Sequence, residues 1–218
     1  METKTRRLKV IGTNHLITKE EIYKMIKKEN PDIIGVELCD TRFNLMVLPL
    51  LNPKEDSFKI DKPKQEELGK NDETLIGKIS DSIKRKAEEE DLQYGSDMVN
   101  ASLYAKENNI PLEFLDLDIT RIKALMEMTP EKEQQGFMVE LAKFEQMSIT
   151  EVNENSNVDE TLLELKTNYP VSFEFLITMR ELFISKNVFK LEHKYPGKKI
   201  LIIVGEGHLN SLMKEMEE

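Results

Sequence analysis

Two stretches far apart in the chain repeat one chemical device, Gly12-Thr13-Asn14-His15 and Gly205-Glu206-Gly207-His208. In each, an apolar strand stops at a glycine that permits a sharp turn, and a histidine follows three residues later, just before a helix. In parallel α/β sheets the carboxyl ends of the strands form one crest where ligands bind, so both imidazoles are expected on that crest. Nearness to a helix N-terminus disfavours the imidazolium, which would keep each ring neutral and able to bind a metal or accept a proton. One Gly-x-x-His turn is commonly just a cap or a core hydrogen-bonding residue. Two of the three histidines in matched settings strengthen the case for a shared site. The third, His193 in Leu191-Glu192-His193-Lys194, lies among charges and reads as a surface residue.

Glu37 is the third chemical element. It lies in Ile33-Ile34-Gly35-Val36-Glu37-Leu38, a continuous apolar run of the kind buried in a parallel sheet. Ile34, Val36 and Leu38 face one side, Gly35 and Glu37 the other. A carboxylate there needs a cation, a metal or strong donors, because an unpaired buried charge is prohibitive. Arg42, in the loop leaving the same strand end, offers a purely structural alternative, a Glu37–Arg42 salt bridge. Asp116 and Asp118 end another strand ahead of a helix beginning near Thr120, where either could cap that helix or join the site. Cys39 has no base near it in sequence and reads as a small buried residue.

The elements that must position these residues follow from local pattern. Leu8–Ile11 is a short strand. Thr18 and Glu21 have capping-box spacing and start a helix that buries Ile22 and Ile26. Asn30-Pro31-Asp32 stops it before the Ile33 strand, so the unit reads as a right-handed βαβ crossover. From Asn52 to about Asp72, Lys, Glu, Asp and Pro dominate, and a mobile charged segment at about 52–92 is expected. Within it Leu75, Ile76, Ile79 and Ile83 recur at helical spacing, and Lys84–Asp91 reads as a solvated helix face. Ser96 can cap a helix bearing Met98, Ala101 and Ala105. Pro111–Asp116 is a strand, and Thr129-Pro130-Glu131 opens a helix with Phe137, Leu141 and Phe144 on its buried face. Helices are expected over Val158–Asn168 and Ser172–Leu191. Pro196-Gly197 turns the chain into the apolar strand Ile200–Val204, and a helix carrying Leu209, Leu212, Met213 and Met216 follows. The whole is expected to be one α/β domain, with a mainly parallel or mixed central sheet and flanking helices.

Bulk composition narrows the partners. The 218 residues carry 31 Lys and Arg against 41 Asp and Glu, a formal charge of 31 − 41 = −10. With no segregated basic patch, nucleic acid is not an expected partner. A single cysteine fits a reducing compartment. No signal-peptide h-region and no apolar window of bilayer length are evident, so a cytoplasmic protein without a membrane partner is expected. A homodimer is left open.

The motifs resemble those of the TraB family, which is related to the Tiki proteases. That family is marked by Gly-Thr-x-His after a strand, Val-Glu-Leu followed by an Arg, a Gly-x-Glu-Met-x-x-Ala helix start, and a late Val-Gly-x-Gly-His. Here these are Gly12–His15, Val36-Glu37-Leu38 with Arg42, Gly95–Ala101 and Val204–His208. Asp116-Leu117-Asp118-Ile119 is similar to the family's Asp-Arg-Asp-Ile, and Arg180-Glu181 to its late Arg–acid pair. Leu117 for Arg, Asp97 for Glu, and Asn210-Ser211 for Pro-Gly are departures. The resemblance implies an erythromycin-esterase/Tiki-like fold. It also implies metal-dependent peptide hydrolysis, as in the Tiki branch, or inhibition of a peptide pheromone, as in the bacterial branch.

The resulting expectation is a divalent-metal hydrolase of a peptide or another small amide or ester. His15 and His208 would bind Mn, Co or Zn together with Glu37 or Asp97. A second carboxylate, with Asp118 among the candidates, would take a proton. Arg42 or Arg180 would hold a substrate carboxylate or stabilise the developing oxyanion. A metal-free esterase-like enzyme with a histidine base, and a protein that sequesters peptides without cleaving them, are the alternatives.

Overall fold

The computed structural model describes residues 7–13, 17–51, 74–89, 95–146 and 158–215. Four strands, β1 (Leu8–Thr13), β2 (Ile33–Val36), β3 (Leu112–Phe114) and β4 (Ile200–Gly205), form one sheet in the order β1-β4-β2-β3. Every neighbouring pair is parallel. The helices are α1 (Lys19–Glu29), α2 (Asp40–Met46), α3 (Leu48–Leu51), α4 (Leu75–Glu89), α5 (Ser96–Glu107), α6 (Ile119–Glu127), α7 (Glu131–Gln146), α8 (Val158–Asn168), α9 (Pro170–Phe173), α10 (Met179–Lys194) and α11 (Glu206–Glu215). A π-helical turn, Glu174–Thr178, joins α9 to α10. The expected α/β fold with flanking helices is the one observed.

β4 is the last of these strands in sequence but lies inside the sheet. Ile202 stands opposite Val10 on one side and Gly35 on the other. The βαβ reading of the first unit holds in its parallel form. β1 and β2 are parallel members of one sheet, but β4 separates them, so the connection through α1 passes over a strand.

Strand alternation sorts the core into two layers. Ile34, Val36, Leu201 and Ile203 pack with Ile22 and Ile26 of α1 and with Met98, Ala101 and Ala105 of α5. On the other face Ile33, Ile200, Ile202 and Val204 pack with Ile184, Val188 and Leu191 of α10 and Leu212 of α11. Each Ile, Leu, Val or Met among them contributes roughly 1.5–3 kcal/mol on leaving water. A third cluster of Leu75, Ile76, Leu117, Ile122 and Met126 gathers α4, α6 and the π-helical turn, with Phe175 and Leu176 packed against it. Within the segment expected to be mobile, α4 is helical and buries Leu75, Ile76 and Ala87. Residues 52–73 and 90–94 lie outside the described residues, as do the side chains of Leu141 and Phe144.

Two helix starts show local chemistry at work. Thr18 Oγ1 accepts the Glu21 N–H at 3.3 Å while the Glu21 carboxylate accepts the Thr18 N–H at 3.1 Å, the expected capping box. At α5 the cap residue is Gly95, in the left-handed region at φ 65°, rather than Ser96. Ser96 is the first helical residue, and its hydroxyl donates to the Ile17 carbonyl at 2.8 Å. Among the described residues no helix is long and apolar enough to cross a membrane.

Gly35 sits where neighbouring side chains leave no room for a Cβ. A Cβ there would stand 2.7 Å from Ile202 Cδ1 and 3.0 Å from Leu115 Cδ1. Gly35→Ala is expected to cost about 1–3 kcal/mol in urea unfolding, the usual range for overpacking. Gly207→Ala, whose Cβ would meet only Leu162 at 3.9 Å, is expected to change stability by less than about 1 kcal/mol. Equal midpoints for the two variants would refute this account of the packing.

Candidate functional site

The site grows from the carboxyl ends of β2, β3 and β4. The Glu37 N–H still donates to Ile203 O at 3.1 Å, so the residue is held in the ladder one step past β2. Its side chain is buried. Glu37 Oε2 accepts the Gly205 N–H at 2.6 Å, and Oε1 receives Arg180 Nη2. Asp116 follows β3 and is tied to the same edge by its N–H, which donates to Leu38 O at 3.1 Å. Arg180, two residues into α10, reaches both carboxylates. Its Nε donates to Asp116 Oδ1 at 3.0 Å and its Nη2 to Asp116 Oδ2 at 2.8 Å, a bidentate pair. Nη1 donates to Leu176 O at 3.2 Å. Burial works against the charged guanidinium, but Asp116 and Glu37 outweigh it and raise its pKa. The cation that Glu37 requires is therefore Arg180 and not Arg42. Arg42 Nη1 reaches only the Glu37 carbonyl, at 3.3 Å, and Asp116 Oδ2, at 3.4 Å.

His208, in the first turn of α11, stands between two carboxylates. Nε2 is 3.5 Å from Glu37 Oε1 and Nδ1 is 3.4 Å from Glu181 Oε1. Burial lowers its pKa, yet Glu37 and Glu181 more than offset this and push it up to about 9. The expectation of a neutral ring is corrected for this histidine, and magnitudes explain why. A helix N-terminus is worth about 0.3–1 kcal/mol, whereas one carboxylate at this range contributes roughly 5 kcal/mol at an effective dielectric of about 20. The π-helical turn immediately precedes α10, whose first turn carries both Arg180 and Glu181 into the site. Such turns recur at functional sites.

The other expected residues divide. Asp97, in the first turn of α5, is fully buried and accepts from Thr13 Oγ1 at the end of β1 and from the Met98 N–H at 2.7 Å. Thr13 Oγ1 is also 3.1 Å from Val204 O, which places Asp97 at the same end of the sheet, beside β1. Asp118 is the cap of α6. Its Oδ1 accepts the Thr120 N–H at 2.9 Å and its Oδ2 accepts from Thr41 Oγ1 at 2.8 Å. The strand-end carboxylate joined to Glu37 through Arg180 is Asp116, and Asp118 takes the capping alternative. His193 is exposed, with its ring centroid 4.5 Å from that of Phe189. Cys39 is buried.

His15 lies outside the described residues, so its pairing with His208 is carried only as far as the strands. Those are adjacent and in register, with Gly12 opposite Val204 and Thr13 opposite Gly205. The end of β1 also packs closely on α11, since a Cβ on Gly12 would stand 3.2 Å from Glu206 Cα and 3.0 Å from Leu209 Cδ2. A metal ion needs donors that converge. His208 Nε2 and Glu37 Oε1, 3.5 Å apart, have a separation that bonds of about 2.0–2.2 Å to one ion allow. Among the described residues no group of three or more His, Cys, Asp and Glu is placed to hold an ion.

Sequence reasoning gave no role to Glu181 and left Asp116 undecided. The available signals were the buried neighbours Leu115 and Leu117 flanking Asp116, and the adjacency of Glu181 to Arg180.

No family model matches the chain. Among curated proteins, the uncharacterized protein MJ1365 of Methanocaldococcus jannaschii is 26% identical over 219 residues, covering 96% of this chain and 53% of that protein. The chain thus spans about half the length of this relative.

His208 makes stability depend on pH in chelator-treated protein. Its pKa is raised from about 6.5 unfolded to about 9 folded. Its contribution, on the order of 3 kcal/mol at most, is fully present below about pH 6.5 and lost as pH rises through about 9. Urea unfolding at pH 6, 7.5 and 9 should show this decline, and His208→Gln should flatten it. Parallel slopes for the two proteins would refute it.

Proposed function

We propose that this chain is a hydrolase of peptide or other small amide or ester bonds, using a divalent ion held by His15, Glu37 and His208. The observation that supports the reading is the β1–β4 register, which makes the strands leading into the two Gly-x-x-His motifs neighbours. The resemblance to the TraB family and the Tiki proteases supports the reaction class. Mn, Co or Zn suits mixed imidazole–carboxylate donors. Such an ion, when bound, polarises a carbonyl and acidifies water. The chain's own part is orientation. Arg180 and the Gly205 N–H fix the Glu37 carboxylate, Glu181 faces the outer nitrogen of His208, and Asp97 supplies a further carboxylate at the β1 end. With its single cysteine buried and unpaired, the protein is proposed to work in the reducing cytoplasm.

A second reading has its own support. His208 flanked by Glu37 and Glu181 is an arrangement in which a histidine oriented by a carboxylate acts as a metal-free acid or base, as in an esterase-like enzyme. Product formation from a peptide library, after chelation and with Mn, Co and Zn supplied in turn, separates the readings. Cleavage is expected only with metal, and Glu37→Gln is expected to lower turnover by roughly 10²-fold or more with its melting temperature measured on the same preparation. Cleavage that survives chelation would favour the second reading, and peptide binding without product would favour a sequestering protein. A Glu37→Gln protein that is destabilised yet fully active when folded would reduce Glu37 to a structural role.

A further inference from the structure

We propose that Arg42 anchors a carboxylate of the substrate, so that the site takes short peptides or related amides bearing a free carboxylate. This rests on the hydrolase reading for the word substrate, but the anchor itself rests on the geometry of two arginines. Arg180 is fully committed, with Nε and Nη2 on Asp116, Nη2 also on Glu37, and Nη1 on Leu176 O. Arg42 is held by one nitrogen only. Nη1 touches the Glu37 carbonyl and a corner of Asp116 that Arg180 already grips at closer range.

Among the described residues, Nε and Nη2 of Arg42 have no partner. No buried side-chain nitrogen or oxygen among the described residues lacks one, so these two atoms are not fully buried. The side chain as a whole is only 16% exposed. Arg42 is thus a fixed cation with one open edge. The N–H bonds of Nε and Nη2 run parallel along one side of the guanidinium plane, and their spacing matches the two oxygens of a carboxylate. An arginine serving only to hold the loop would turn that edge onto the protein. Here the tip is tethered and the fork is presented, beside the strand end that carries Glu37. A planar, singly charged carboxylate fits better than phosphate, because Glu37 and Asp116 stand close by and repel a second negative charge.

The test compares a set of mixed-sequence tripeptides with free C-termini against the same set as C-terminal amides, with inorganic phosphate as a third probe. The proteins are wild type, Arg42→Lys and Arg42→Gln, with melting temperatures recorded for each. In ¹⁵N–¹H spectra, the Arg42 Nε–H signal, assigned by its loss in Arg42→Gln, is expected to move with the free acids and not with the amides. Where peptides are cleaved, free acids are expected to be preferred by at least about 10-fold, in line with charge-assisted hydrogen bonds. That preference should reside in KM, shrink in Arg42→Lys and vanish in Arg42→Gln. A signal that moves with amides as readily, with phosphate alone, or with no probe overturns the anchor. So does an equal fall in kcat on acids and amides in Arg42→Gln, which would make Arg42 an oxyanion donor. A shift by free acids without cleavage upholds the anchor and sinks the hydrolase reading instead.

Discussion

The bidentate grip of Arg180 on Asp116, extended to Glu37, is the constraint from which the rest of the site follows. The two apolar layers bring β2, β3 and α10 together, but apolar packing is non-directional and tolerates small rotations. The ion cluster does not. Removing one partner of such a cluster leaves a charge stranded in the interior, at about 3–5 kcal/mol, so only one rotation of α10 against the sheet is acceptable. With Glu37 fixed, its second oxygen meets the Gly205 N–H at the start of α11, and His208 is thereby set. With Asp116 fixed, Arg42 is tethered at its tip. Glu37, Asp116, His208 and Arg42 are each located by Arg180 or through a neighbour that Arg180 holds.

Much of this was legible in the sequence wherever the cause was local. The Thr18–Glu21 box, the two-sided burial of the Ile33 and Ile200 strands, and the opposite facing of Leu38 and Glu37 are consequences of spacing alone. What spacing could not give is partnership across the fold. The need of Glu37 for a cation was readable, but Arg42, five residues away, was the nearest candidate, while the actual partner lies 143 positions on. Asp116 and Asp118 differ only in where the chain turns after β3. One residue of turn decides which becomes a cap and which is buried. The raised pKa of His208 was out of reach for the same reason, since its helix was visible in the sequence and its pairing with Glu37 and Glu181 was not.

The cluster also accounts for how an acidic chain can keep an anion-binding edge. Overall charge repels anions at long range, but that field is screened over about 8–10 Å at ordinary salt. At the crest the carboxylates of Glu37, Asp116, Glu181 and Asp97 are faced by the guanidiniums of Arg180 and Arg42 and by His208, whose pKa is raised. Most of the local negative charge is thereby offset.

The position of β4 has a consequence for how the molecule comes into being. The strand at the middle of the sheet is made after the other three, and until it is inserted β1 and β2 have nothing between them. A nascent chain at that stage carries two unpaired apolar strand edges, an invitation to association with other chains. It also lacks the backbone donor for Glu37 and the histidine beside it. Docking of β4 closes the sheet and completes the ion cluster in one event, so no partly assembled form can possess the site.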